Sequence, residues 1–181
     1  MTWELIRASG FIAYGLLAGS VILGLLISSK LFGRAISAKA LTYLHEGLAV
    51  GSLLATITHL VGLGLDEYVE FGPVALLVPG ASAWEPLAVA YGIVAMWMLA
   101  VVTVSFYIRQ HIGQKVWRAI HYSAFGAFVA AFAHGLMAGT DSGHPAAMVL
   151  YGSTGGVVAV LLIARVLLMG DTGRSRGSVR A

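Results

Sequence analysis

Four histidines stand inside apolar stretches of this 181-residue sequence, His45 and His59 in one, His121 and His134 in another. An imidazole in a bilayer needs a partner, and ionisable residues there mark functional sites by default. Neutral imidazole is also a common metal ligand. His59 follows His45 by 14 residues and His134 follows His121 by 13, which is ~21 Å and ~20 Å along a helix. His45 and His121 each lie a few residues inside the same face of the membrane, as the charge pattern described below requires. Packed side by side, the two helices offer two pairs at matching levels, His45 with His121 and His59 with His134. Each pair can hold the iron of one porphyrin between two imidazoles, because inward-facing ligands on neighbouring helices are how bundles build cofactor sites.

The periodicity supports the two pairs unequally. Fourteen residues are four turns at a 3.5-residue period, so His45 and His59 share a stripe. Thirteen leave His134 rotated by roughly 100–140° from His121 on a regular helix. That mismatch calls for a local distortion, for which Gly126 and Gly135 are the candidates, or for two differently tilted haems. Spacing alone leaves other readings open. Histidines in membrane helices also serve as hydrogen-bonding residues between helices. A divalent-ion transporter is a third reading, although such ions want ligands clustered at one level, often with carboxylates. Glu46, beside His45, is the only intramembrane acid.

The elements that position these residues follow from composition. The chain is 59% hydrophobic and 10% charged, with a mean hydropathy of +0.87, against about 25% charged residues in a soluble domain. Five apolar stretches, about 9–29, 41–65, 86–107, 117–138 and 146–169, are each at least the ~20 residues needed to span as helices. The sequence therefore predicts an all-α integral membrane protein whose five transmembrane helices form a haem-binding bundle over residues 1–169. The first stretch lacks the basic flank and cleavage site of a signal peptide and reads as a retained helix. The absence of Cys excludes disulfides, iron–sulfur clusters and Cys-ligated zinc.

Charge sets the orientation. Lys30, Arg34 and Lys39 follow the first stretch, Arg109, Lys115 and Arg118 the third, and Arg165, Arg174, Arg176 and Arg180 mark the end of the fifth. The two other connections hold Asp66, Glu67, Glu70, Glu85 and Asp141 without Lys or Arg. By the positive-inside rule the N-terminus is outside and the C-terminus inside. The basic pI of about 9.4 thus reflects topology and not nucleic-acid binding. Trp3, Tyr68, Trp84 and Trp117 sit where interfacial aromatics belong. In the long second connection, Gly72, Pro73, Pro79 and Gly80 argue against a long helix, and "VALLVPG" is apolar enough to lie on the membrane surface. Residues 170–181, "GDTGRSRGSVRA", read as a disordered cytoplasmic tail. No GxGxxG follows a strand, and there is no room for a soluble nucleotide-binding fold.

With "LHEGLAVGSLLATITHL" from Leu44 and "IHYSAFGAFVAAFAHG" from Ile120, the chain resembles the ferric reductase-like transmembrane domain superfamily. That group includes the membrane halves of ferric reductases and NADPH oxidases and the haem subunit of the bacterial methionine sulfoxide reductase system. The shared pattern is two histidines 13–14 apart on one helix, a helix without ligands, then two more on the next, and it covers roughly residues 10–169. The resemblance implies two b-type haems, each with two axial histidines, and electron transfer across a prokaryotic cytoplasmic membrane from the inner haem to the outer. Reductase and oxidase members carry a flavin and NADPH domain after the last helix, where this sequence has only residues 170–181. The expected donor is therefore a separate protein, a quinol or a flavin on a partner, and a redox partner subunit is expected on the outer face. Oxidase members also carry a histidine one turn beyond the outer ligand. Leu63 stands at that position here, so dedicated superoxide production is not expected. A haem-bearing anchor subunit of a larger respiratory or photosynthetic complex is the alternative role.

Supporting residues can be assigned on the same basis. Gly47, Gly51, Ser123, Gly126 and Gly135 would leave room for a macrocycle, or serve close helix packing. Lys39 and Arg118 at the inner level and Arg7 at the outer level could pair with propionates, or only set topology. Arg165 can snorkel to the cytoplasmic face. His111 and His144 read as surface residues, with His144 and Asp141 a candidate outer acceptor site, and Trp97 reads as packing.

Overall fold

In lipid a backbone must satisfy its own N–H and C=O groups, and each apolar stretch does so as a helix. A computed structural model describes residues 3–29, 37–66 and 71–178, with side chains through residue 167. The elements are α1 (Trp3–Ser28), α2 (Ala38–Gly64), α3 (Pro73–Leu77), α4 (Pro86–Tyr107), α5 (Arg109–Ile112), α6 (Gln114–Tyr122), α7 (Ala124–Ala138) and α8 (Pro145–Ser178). Among the described residues there is no strand. Five segments are long and apolar enough to cross a membrane: α1, α2, α4, α6 with α7, and α8 through Leu167. The backbone of α8 continues past residue 169 into the expected tail, and residues 179–181 lie outside the described residues. So do Lys30, Arg34, Glu67, Tyr68 and Glu70.

Local chemistry sets the helix ends. The Ser37 hydroxyl caps α2 by accepting from the Ala40 N–H at 3.2 Å. Pro86 opens α4 after Glu85, which sits in the left-handed region at φ 39°. Gly113, at φ 79°, separates α5 from α6.

The fourth span is not one regular helix. It breaks between Tyr122 and Ala124, where the Ser123 N–H bonds back three residues to the Ile120 carbonyl at 2.9 Å. The Ser123 hydroxyl donates to the same carbonyl at 2.6 Å, the kind of back-bonding that bends helices. A distortion between His121 and His134 is thus present, but at a serine. Gly126 and Gly135 lie inside regular α7.

Helix packing corrects one expectation. α1 lies along α2, α4 lies along α7, and the two couples meet through α1 with α7 and α2 with α4. The four helices make a ring in which α2 and α7 stand diagonally, with α8 outside against α1 and α7. The histidine-bearing helices are therefore not side by side. Each uses its packing face on a ligand-free partner, which leaves the centre of the ring between them. At mid-height the ring is filled by a buried cluster that includes Tyr14, Leu17, Leu99, Phe128 and Tyr151. The Tyr14 and Tyr151 rings lie 4.7 Å apart, and the Tyr14 and Thr154 hydroxyls are hydrogen-bonded at 2.6 Å.

The connection holding α3 does not simply lie flat. The Leu77 carbonyl accepts from the Trp97 indole N–H at 3.0 Å, and Trp97 is half-way along α4. Leu76 meanwhile approaches Gly64 at the end of α2. The segment thus touches both α2 and α4, with Val74, Leu77 and Val78 left exposed.

Candidate functional site

Two cavities lie in the ring, one on each side of the mid-height cluster. One, of about 190 Å³, is lined by His59 and His134 together with Arg7, Gly10, Leu63, Gly92 and Asp141. The other, of about 410 Å³, is lined by His45 and His121 with Gly24, Glu46, Thr103, Trp117, Arg118 and Arg165. The histidines are thus sorted into the two expected pairs. Leu17 and Leu99 line both cavities and form the apolar wall between them.

A regular device holds three of the four rings. The His45 Nδ1–H donates to the Ser20 carbonyl at 2.8 Å and that of His59 to the Ile6 carbonyl at 2.8 Å, both on α1. The His134 Nδ1–H donates to the Ala88 carbonyl of α4, also at 2.8 Å. In every case a glycine stands four residues after the accepting carbonyl: Gly24, Gly10 and Gly92. A Cβ there would come within 3.1 Å of the His45 ring, 3.2 Å of the His59 ring and 2.8 Å of the His134 ring. The glycines let a five-membered ring lie against the neighbouring helix and reach its carbonyl. Bonding Nδ1–H to the backbone fixes the tautomer and leaves Nε2 with a free lone pair, able to accept a hydrogen bond or bind a metal.

The stripe on α2 is heptad-spaced, and Ser52 is its middle member. The Ser52 hydroxyl, 1% exposed, donates to the Ala13 carbonyl at 2.8 Å. His45, Ser52 and His59 therefore bond to Ser20, Ala13 and Ile6, seven residues apart on both helices and running in opposite directions. A 3.5-residue period keeps such a seam facing its partner along the whole contact. Where the α2 residue is a short serine, α1 carries Leu17 in place of a glycine, since no ring has to be seated there.

His121 is held differently. Its ring stacks on Trp117 of the same helix, with centres 5.1 Å apart and planes 27° apart. The His45 and His121 ring centres are 6.0 Å apart with planes at 73°. An imidazole nitrogen binds a first-row metal at ~2.0–2.1 Å, so two rings on opposite sides of one ion have centres ~6 Å apart. The spacing of this pair leaves room for one metal ion between the two rings.

Among the described residues, three buried polar atoms without a hydrogen-bond partner belong to residues lining these cavities: Arg7 Nε in the first, Thr103 Oγ1 and Trp117 Nε1 in the second. Buried donors of this kind are costly unless something accepts from them. They suit an occupant that carries acceptor groups as well as apolar surface.

The other candidate residues fall into place unevenly. Arg7 lines the His59 cavity and forms an ion pair with Asp141 at its rim. Arg118 lines the His45 cavity, whereas Lys39 lies over the Tyr43 ring at 5.7 Å and lines neither. Gly51 faces Leu16 of α1 and Gly126 faces Met98 of α4, so both sit in helix–helix contacts and neither lines a cavity. Gly135 lies against the Tyr151 hydroxyl and does line the His59 cavity. Trp97 lines neither cavity, and His111 and His144 are exposed.

Sequence reasoning missed the seats themselves. Gly10 and Gly24 are 14 residues apart, the same interval as His45 and His59, and that echo was the legible signal. It also gave Arg165 no role in the site. Arg165 lines the His45 cavity beside Arg118 and donates to the Ser28 hydroxyl. No family model, curated protein or solved structure matches the chain.

Proposed function

We propose that this chain is a membrane cytochrome that carries electrons across a prokaryotic cytoplasmic membrane through two b-type haems, as its resemblance to the ferric reductase-like superfamily implies. One observation carries the reading: opposed histidines line each of two stacked cavities, and three of the four have Nδ1 tied to a backbone carbonyl. A structural histidine needs its hydrogen bond but has no need to face a cavity. An axial ligand needs both.

The iron supplies one-electron chemistry, and the protein supplies its axial ligands, surroundings and charges. His59 and His134 serve the outer site, His45 and His121 the inner site. Arg118, Arg165 and the Trp117 indole are placed to meet propionates at the inner level, and Arg7 at the outer. Leu17, Leu99 and the Tyr14–Tyr151 cluster would keep water from the apolar layer between the two levels. The N-terminus is outside and the C-terminus inside, as the loop charges direct. The donor is a separate protein, a quinol or a partner's flavin on the inner side, and the acceptor lies on the outer side.

The test is the reduced-minus-oxidised absorbance of the purified chain. A b-type α-band with two haems per chain is expected, and a colourless protein defeats the proposal. Reporter fusions at the C-terminus, expected to be active only in the cytoplasm, test the orientation.

A further inference from the structure

The two sites differ in how their ligands are held, and the difference bears on what the inner site can bind. Taking the dihaem reading as its basis, we propose that His121 is a releasable ligand and that the inner site accepts a small neutral π-acceptor, of the carbon monoxide or nitric oxide type, in its place.

His45, His59 and His134 are each fixed twice, by an Nδ1–H bond to a carbonyl and by contact with a glycine on the next helix. To leave a metal, such a ring must also break its bond to the backbone or drag that bond along. The His121 ring makes no hydrogen bond among the described residues, and the stack on Trp117 comes from one turn earlier on its own helix. The ring can therefore turn without breaking a hydrogen bond. α6 is nine residues long and ends at the Ser123 break, so it can tilt while α7 keeps His134 in place. The His45 cavity, about 410 Å³, is also the larger of the two. The exchange replaces one neutral two-electron donor, the His121 Nε2, by another. No electron leaves the iron and no proton is released.

Fixed imidazoles on the outer site predict the contrary behaviour there. Ligand orientation through the second ring nitrogen is what holds a metal's first coordination sphere in place. An unanchored ligand is the one expected to exchange.

The experiment adds carbon monoxide to the full chain, purified with its haem and reduced with dithionite. About half of the reduced spectrum is expected to convert to the carbon monoxide form. In His134→Ala, which removes the outer ligand, the remaining haem is expected to convert completely. Trp117→Leu, which takes away the stack together with the indole N–H, is expected to speed uptake several-fold in flash photolysis, whereas Trp117→Phe, which loses the N–H but keeps a ring to stack on His121, is expected to leave it near the native rate; this arm holds even if His134→Ala fails to accumulate. A protein with two haems, both inert to carbon monoxide, overturns the inference while leaving the dihaem reading intact. So does conversion confined to the haem that His134→Ala removes, or an uptake rate that Trp117→Leu leaves unchanged. A protein without haem defeats the dihaem reading itself.

Discussion

The His59–His134 level and the His45–His121 level use the same residue type for the same geometric task, yet only the first seats both of its rings. At the His59 level each imidazole rests in a glycine notch on a neighbouring helix and bonds to its carbonyl, on α1 for one and α4 for the other. At the other level His45 has such a seat, while His121 leans on Trp117 of its own helix. The origin is the break at Ser123, which puts His121 on a different helix from His134. A rigid seat requires a partner helix held in register, and only α7 keeps that register with α4 around Gly92. The lesson is that ligand spacing along one helix sets the level of a site, while the facing helix decides how firmly it is held.

The largest expected effect comes from removing a seat outright. Gly92→Leu puts a side chain where a Cβ alone would meet the His134 ring at 2.8 Å, and it should cost the outer haem. Haem extraction would then return one haem per chain; a count of two would mean that the notch is dispensable. His59→Ala should have the same result while leaving part of the inner haem bound. If both haems persist with unchanged spectra, the pairing of ligands fails.

Gly10→Ala and Gly24→Ala are milder, since the contacts at 3.2 Å and 3.1 Å ask a ring to move by a few tenths of an ångström. Haem content should hold at both positions, with a shift in the midpoint potential of one haem in each variant, read by redox titration. Identical potentials before and after would show that the seat does not tune its ligand.

Ser52→Ala tests the seam without touching either site. It removes the buried bond to the Ala13 carbonyl, and the loss should be about 1 kcal/mol, visible as a lower melting temperature with both haems retained. The smallest effect belongs to Arg7→Gln. Arg7 and Asp141 are 40% and 27% exposed, so loss of the pair should change stability by less than about 1 kcal/mol. Because Arg7 is placed to meet the outer propionates, the outer haem should also be held somewhat less tightly in this variant, and unchanged haem retention would leave Arg7 with the Asp141 pair alone.

Much of the frame was legible from the chain. The five spans follow from apolar runs of sufficient length, and they appear as helices near the expected limits. The grouping of the histidines by level followed from counting residues, because rise per residue is nearly invariant in a helix. The need for a distortion between His121 and His134 was legible too, but its location was not. Glycine is the usual suspect in a helix, and here the hydroxyl of Ser123 competes for the Ile120 carbonyl. For Gly51 and Gly126 the choice between room for a macrocycle and close helix packing stayed open in the sequence for a related reason. A small residue near a ligand has the same signature whether it faces a cofactor or a neighbouring helix, and only packing tells the two apart.

Spans, their limits, and the heptad stripe of His45, Ser52 and His59 belong to the sequence, because hydrophobicity and helical repeat are properties of a single segment. That α2 and α7 stand across a ring and not in contact was settled by tertiary structure. So were the carbonyls of Ile6, Ser20 and Ala88 that orient the rings, and the lack of such a partner for the His121 ring among the described residues. These depend on which helix faces which and in what register, and no segment carries that information alone.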